Sequence, residues 1–214
     1  MKRTTLMLIL LSYFAFSQAQ VRLSLTGGFT VATQTVTMEN NGDTRYSTDN
    51  SVLGFQGGLL ADCGRGPVRF QTGLVLMQKG SSYTEDNGDQ WNYTYNYLQI
   101  PLYAKFRYGF GPGHLYFTLG PSYCMTLSGK ANNTTAGSTQ TLEIGTGIDN
   151  NGNPRLSDHD LTLDFGVGVK FQRLSFGVTY SWGLLSANSY SESDGTNVNT
   201  YNRSTSLYIA LDLM

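Results

Sequence analysis

Long hydrophobic runs are scarce in this chain, and the one worth the name lies at its start. Leu6 to Leu11 and Tyr13 to Phe16 form an apolar stretch behind Lys2 and Arg3. It is too short for a comfortable membrane-spanning helix. Ser17-Gln18-Ala19 supplies small residues ahead of a cleavage point, so residues 1–19 read as an export signal and residues 20–214 as one mature domain. Cysteine is nearly absent too, with only Cys63 and Cys124. None follows the cleavage point, which argues against a lipoprotein. Strand alternation puts the two thiols on opposite faces, so no disulfide is expected despite an oxidising compartment. Charge is sparse at 14%, and the mature part carries 12 basic against 15 acidic side chains. A net charge of −3 gives no basic patch for nucleic acid. Proline is limited to 5 residues and histidine to 2, and no helical period follows the export signal.

What the chain has is glycine (25), tyrosine (14) and phenylalanine (11), arranged with a period of two. Leu161, Leu163, Phe165, Val167, Val169 and Phe171 share one face, against Thr162, Asp164, Gly166, Gly168 and Lys170. Residues 174–184 and 115–127 repeat the pattern. Val21–Val31, Leu53–Cys63, Val68–Leu76, Leu98–Tyr108 and Ser204–Leu213 follow it, for eight predicted strands. Each is close to the 9–11 residues or so that a tilted strand needs to cross hydrocarbon. The slightly negative mean hydropathy is no objection, because half of each spanning strand faces inward.

The connections alternate in length. Links 64–67, 109–113 and 172–173 are tight, while those near 33–51, 79–91, 130–158 and 186–203 are long and polar. Short turns on one rim and long loops on the other predict an all-β, eight-stranded antiparallel up-and-down transmembrane β-barrel, with periplasmic turns and extracellular loops. The address is then the outer membrane of a Gram-negative cell. Each long link carries a type I′ dipeptide, Asn41-Gly42, Asn87-Gly88, Asn151-Gly152 or Asp194-Gly195, so protruding hairpins are expected.

Full charges sit in mid-strand on the polar face at Arg69, Lys105, Arg107, Asp160, Asp164 and Lys170, with Arg22, Asp62 and Asp212 nearer the strand ends. Facing lipid, a Lys or Arg would cost about 2–4 kcal/mol at the midplane. Facing a narrow lumen, mixed signs pair, and eight strands leave an interior that side chains fill. These residues are therefore expected to form a lumen charge network that plugs the barrel. A catalytic or ion-relay use of Asp160, Asp164 and Lys170 is the rival reading. Trp91, Tyr95, Phe106, Tyr108, Phe171, Tyr180 and Trp182 are expected to form an aromatic girdle at the two interfaces. A carbohydrate-binding surface around Trp91 and its tyrosine neighbours is the alternative.

Chemistry-bearing motifs are few. Asp158-His159-Asp160 hints at a metal or hydrolytic centre, yet adjacent strand residues such as Ser157 point to opposite faces. Asp149-Asn150-Asn151-Gly152-Asn153 lacks the alternating acids of a calcium loop. His114 follows the Gly-Pro-Gly turn. No catalytic residue, cofactor or metal is therefore expected. The long links carry eleven acidic residues against five basic ones (Arg45, Lys79, Lys130, Arg155, Arg203), an acidic crown able to meet lipopolysaccharide through divalent cations or to meet a basic protein partner.

Residues 97–130 carry a family resemblance. Tyr97-Leu98-Gln99-Ile100-Pro101-Leu102 through Lys105, then Leu119-Gly120-Pro121 and Leu127-Ser128-Gly129-Lys130, resemble the PorT-type outer-membrane β-barrel domain, abundant in Bacteroidetes. The resemblance implies the barrel and its address, and for the founding member a tie to a secretion and gliding apparatus. The chain departs from the usual aromatic terminus by ending Leu211-Asp212-Leu213-Met214. The reading is a non-enzymatic envelope protein acting through its outer hairpins in adhesion, envelope integrity or a secretion complex. A lipid-modifying membrane enzyme and a soluble periplasmic ligand-binding barrel are the alternatives.

Overall fold

The computed structural model describes residues 20–40, 43–48, 50–84, 88–135, 137–145, 155–191 and 196–213. Residues 1–19, the four hairpin dipeptides apart from Gly88, and Met214 lie outside the described residues. Among the described residues, ten strands follow one another: β1 (Val21–Asn40), β2 (Asp43–Thr48), β3 (Asn50–Cys63), β4 (Val68–Thr84), β5 (Gln90–Phe110), β6 (Gly113–Asn133), β7 (Ser138–Thr141), β8 (His159–Phe171), β9 (Leu174–Ser191) and β10 (Asn197–Asp212).

Every strand pairing is antiparallel. Order β10-β9-β8-β6-β5-β4-β3-β1 runs round the sheet, and β1 pairs with β10 from Ser24↔Asp212 to Glu39↔Asn197. That last ladder closes an eight-stranded barrel and leaves no edge among the wall strands. The two short strands are returns, β2 folding back on β1 and β7 on β6.

The wall strands are longer than the sequence pattern suggests: β5 and β6 each run 21 residues. Beyond the apolar belt the ladders continue as hairpins, with Asn40 opposite Asp43, Thr84 opposite Gln90, Asn133 opposite Ser138 and Ser191 opposite Asn197. At the other rim the turns are tight. Gly64, Gly66 and Gly111 take positive φ there, where a side chain would be strained.

The inside-out distribution explains why this is a membrane fold. Leu25, Phe55, Leu76, Phe117, Val167, Leu207 and Ile209 stand exposed on the outer wall, while Thr30, Ser122, Thr162, Asp160 and Asp164 are buried to 1% or less. Water would penalise so large a continuous apolar surface, and lipid does not. Cys63 and Cys124 are both free.

Some glycines make room inside. A Cβ on Gly168 would lie 2.3 Å from the hydroxyl end of Tyr116, and one on Gly177 would lie 2.6 Å from that of Tyr208. The two rings lie against bare backbone, with their hydroxyls 3.1 Å apart.

Candidate functional site

The interior is organised in tiers. At the turn rim, Lys105 Nζ donates to Asp62 Oδ2 at 2.8 Å, and Gln71 Nε2 donates to Asp62 Oδ1 at 2.6 Å. Across the barrel, Lys170 pairs with Asp212, whose second oxygen accepts from Ser24 Oγ at 2.9 Å. Lys105 also lies 4.5 Å from the Tyr116 ring centroid, a cation–π contact. Arg22, Arg69, Arg107 and His114 line a cavity of about 460 Å³ at the same end.

The middle tier centres on Asp164. It accepts from Tyr103 Oη at 2.5 Å, Thr162 Oγ1 at 2.8 Å and Gln99 Nε2 at 3.0 Å, and also from the Ser122 hydroxyl. A small void of about 40 Å³ beside it, lined in part by Gln71, Gln99, Tyr103 and Ser206, is large enough for water.

The upper tier pairs Asp160 with Lys79 at 3.9 Å. Asn202 Nδ2 donates to Asp160 Oδ2 at 2.9 Å and to Tyr97 Oη at 3.2 Å. Lys79 Nζ also lies 3.9 Å from Cys124 Sγ and 5.3 Å from the Tyr97 ring centroid. Above this polar tier, Leu156 packs on Tyr95, Tyr97 and Cys124, with Tyr93 and Leu142 around them. Leu156 is fixed by backbone bonds to Glu143 and Gly145. The loop-side end of the lumen is thus capped by apolar side chains.

The expected lumen residues all project inward, though not as one network. Asp62, Arg69, Lys105, Asp160, Asp164, Lys170 and Asp212 are buried, while Arg22 and Arg107 are half-buried at the mouth. Lys170 binds Asp212, not Asp160 or Asp164, so the three groups of the relay reading are not brought together. Lys79, read from the sequence as a loop residue, is a lumen residue 1% exposed. The reason is that β4 continues to Thr84 and keeps its inward phase through Arg69, Gln71, Val75, Met77 and Lys79.

The aromatic set divides. Phe106, Tyr108, Phe171, Tyr180 and Trp182 are exposed on the outer wall. Trp91 and Tyr95 require correction: they share the inward phase of Tyr97, Gln99 and Tyr103 on β5, and Tyr95 is only 6% exposed. Tyr83 and Tyr93 stack 5.8 Å apart, and Tyr93, Tyr95 and Tyr97 continue the series down into the mouth.

The Asp158-His159 pair is exposed at the loop-side end of β8. His159 Nδ1 meets Tyr123 Oη at 2.5 Å, and Nε2 lies 3.1 Å from Asp158. Ser157 Oγ instead donates to the His159 carbonyl oxygen at 2.9 Å. Among the described residues, no three His, Cys, Asp or Glu side chains gather as metal ligands.

A closed antiparallel barrel with a lipid-facing wall and a polar, filled lumen defines an integral outer-membrane protein of Gram-negative type. Residues 16–188 match the outer membrane protein beta-barrel domain, and the chain belongs to that family. Among solved structures, it is similar to the Neisserial surface protein A at 9% identity, covering 89% of this chain and 97% of the other with a TM-score of 0.42. The attachment invasion locus protein Ail of Yersinia pestis, in complex with the heparin analogue sucrose octasulfate, is 12% identical over 86% of this chain and 98% of the other, with a TM-score of 0.30. The outer membrane protease OmpT from Escherichia coli is 8% identical over 90% of this chain and 96% of the other, with a TM-score of 0.40. No curated protein matches the chain.

Proposed function

We propose that this barrel is a non-enzymatic surface protein that acts through its loop-side hairpins. One observation carries the reading: four ladders continue past the lipid-facing belt, while the lumen beneath them is filled and capped. A strand rises about 3.3 Å per residue, so strands of 21 residues greatly exceed what hydrocarbon requires. Length kept beyond the membrane and paired into hairpins is a contact surface. The hairpin of β4 and β5 carries the Tyr83–Tyr93 stack, and aromatic pairs are rigid contact material.

The class of contact follows from this placement: adhesion, envelope integrity or attachment of a secretion-associated complex, the last in line with the PorT-type motif at residues 97–130. Lipopolysaccharide, met through divalent cations, and a protein partner are the proposed ligands.

The test replaces residues 82–92 by a two-residue turn, so that Ser81 still pairs with Tyr93. A host lacking the chain is complemented with the full or the trimmed form. Attachment, detergent sensitivity and secretion are scored, and heat-dependent gel mobility confirms folding. Loss of complementation by a folded trimmed barrel supports the reading. Full complementation in every assay overturns it. Replacing His159 with Ala and finding altered lipid A would favour an enzyme instead.

A further inference from the structure

Among the described residues, the turn-side end of the lumen holds more positive charge than its carboxylates neutralise. Five cations lie there, Arg22, Arg69, Lys105, Arg107 and Lys170, against Asp62 and Asp212. Lys105 takes Asp62 and Lys170 takes Asp212. Gln71 and Ser24 occupy the remaining oxygen of each carboxylate. Arg22 stands opposite Asp62 in register, yet no ion pair within 4.0 Å is formed by Arg22, Arg69 or Arg107 among the described residues.

These three guanidinium groups and His114 line a single cavity of about 460 Å³, floored by the turn residues Gly66, Pro67 and Gly109. A water molecule's share of liquid volume is about 30 Å³, so a hydrated oxyanion fits with room to spare. Arg69 supplies the second, independent observation. The residue is 8% exposed, and its Nε is buried with no hydrogen-bond partner. An unsatisfied buried donor on a cation is costly, and like charges gathered round it add repulsion. An anion in the cavity offsets the repulsion and supplies the Arg69 guanidinium with an acceptor.

We infer that the turn-side mouth is a binding site for a phosphate group, held by Arg22, Arg69 and Arg107 with His114 as a further donor. Planar guanidinium forks match the oxygens of a tetrahedral oxyanion in bidentate fashion. Three guanidinium groups lining one space offer more donors than a two-oxygen carboxylate can take up, whereas a phosphate presents four oxygens, two of them ester oxygens in a phospholipid. In barrels of this class the short-turn rim faces the periplasm. The phosphate is therefore either a free periplasmic solute or the headgroup of a phospholipid in the inner leaflet. This site lies at the opposite end of the barrel from the hairpins and does not depend on their role.

The experiment is calorimetric titration of inorganic phosphate into the folded barrel, in zwitterionic detergent at constant ionic strength with chloride as the balancing anion. Saturable binding is expected, at least tenfold weaker in Arg69→Gln and Arg107→Gln. Arg65→Gln and Arg173→Gln, on exposed residues of the same rim, should bind like the parent. Arg22→Gln removes a half-buried group and serves if the Arg69 variant fails to show a heat-dependent shift. Repeating the titration in nanodiscs separates the sources. Weakened phosphate binding with phosphatidylglycerol present, relative to phosphatidylcholine alone, assigns the site to a lipid headgroup; unchanged binding assigns it to a soluble phosphate. No saturable binding by the parent in either medium, or equal weakening by Arg65→Gln, overturns the proposal.

Discussion

Lys79 Nζ lies 3.9 Å from Asp160 Oδ2, and both side chains are 1% exposed. The pair spans the lumen, from β4 on one side to β8 on the other, and joins strands that are not neighbours in the ladder. Burying two charges is expensive, and removing one member leaves the other uncompensated, at a cost of about 3–5 kcal/mol. Lys79→Met is therefore expected to destabilise the barrel by about that amount. The double variant Lys79→Met with Asp160→Leu should recover part of the loss. Urea unfolding in lipid vesicles, followed by tryptophan fluorescence, gives the comparison. A double variant as unstable as Lys79→Met alone would mean that the pair is not coupled.

That contact also marks where the sequence stops being readable. Between the rims, lipid imposes an apolar residue at every second position, and eight strands stand out from their alternation. Above the belt both faces meet polar surroundings, and Gln78, Gly80, Ser82 and Thr84 on β4 no longer contrast with Lys79 and Ser81. The strand continues, but its signal has gone, so Lys79 reads as loop. Trp91 and Tyr95 fail differently. Their odd numbering matches Gln99 and Lys105 on the inner face of β5, and parity alone places them away from lipid. The partners of each carboxylate were not legible at all. Which cation meets Asp160 depends on the stagger of strands round the closed wall, and alternation carries no information about stagger.

Gly168 is a position at which a single methyl group should be felt directly, by a buried ring and by backbone at once. A Cβ there would stand 2.3 Å from Tyr116 Cζ and 2.4 Å from the Phe176 carbonyl oxygen. Tyr116 is 1% exposed, and its ring is held by the Tyr208 hydroxyl and by Lys105. Gly168→Ala is expected to cost about 1–3 kcal/mol, as overpacking of a filled interior does. Combining it with Tyr116→Leu should return only part of that, since the backbone contact remains. The midpoint of the heat-dependent gel shift reports the order of the three variants.

The lipid-facing assignment makes a depth-dependent prediction. Val167 is paired with Phe117 and Val178 near the middle of the apolar belt, whereas Leu213 lies just past the end of β10 at the turn rim. Val167→Arg should destabilise the barrel by about 2–4 kcal/mol, and Leu213→Arg by no more than about 1 kcal/mol. Reversible unfolding in vesicles measures both. Equal effects at the two depths would show that Val167 does not face hydrocarbon.

Closure of the lumen is testable by conductance, and the tiers predict how much of it rests on the cap. Leu156 seals the loop-side mouth, but Tyr97 and the Lys79–Asp160 pair lie directly beneath it, and the Asp164 and Tyr116 tiers lie below them. The parent barrel should therefore show no stepwise current in a planar bilayer. Leu156→Ala removes apolar contacts and is expected to cost about 2–5 kcal/mol in stability, as large-to-small changes in packed interiors do. It should nonetheless leave the current at baseline, because a hydrogen-bonded polar network fills the bore without it. Steps in the Leu156→Ala trace alone would mean that the cap is the gate and that the lower tiers leave a water path. Steps in the parent trace would mean that the interior side chains do not fill the lumen as tightly as their burial indicates.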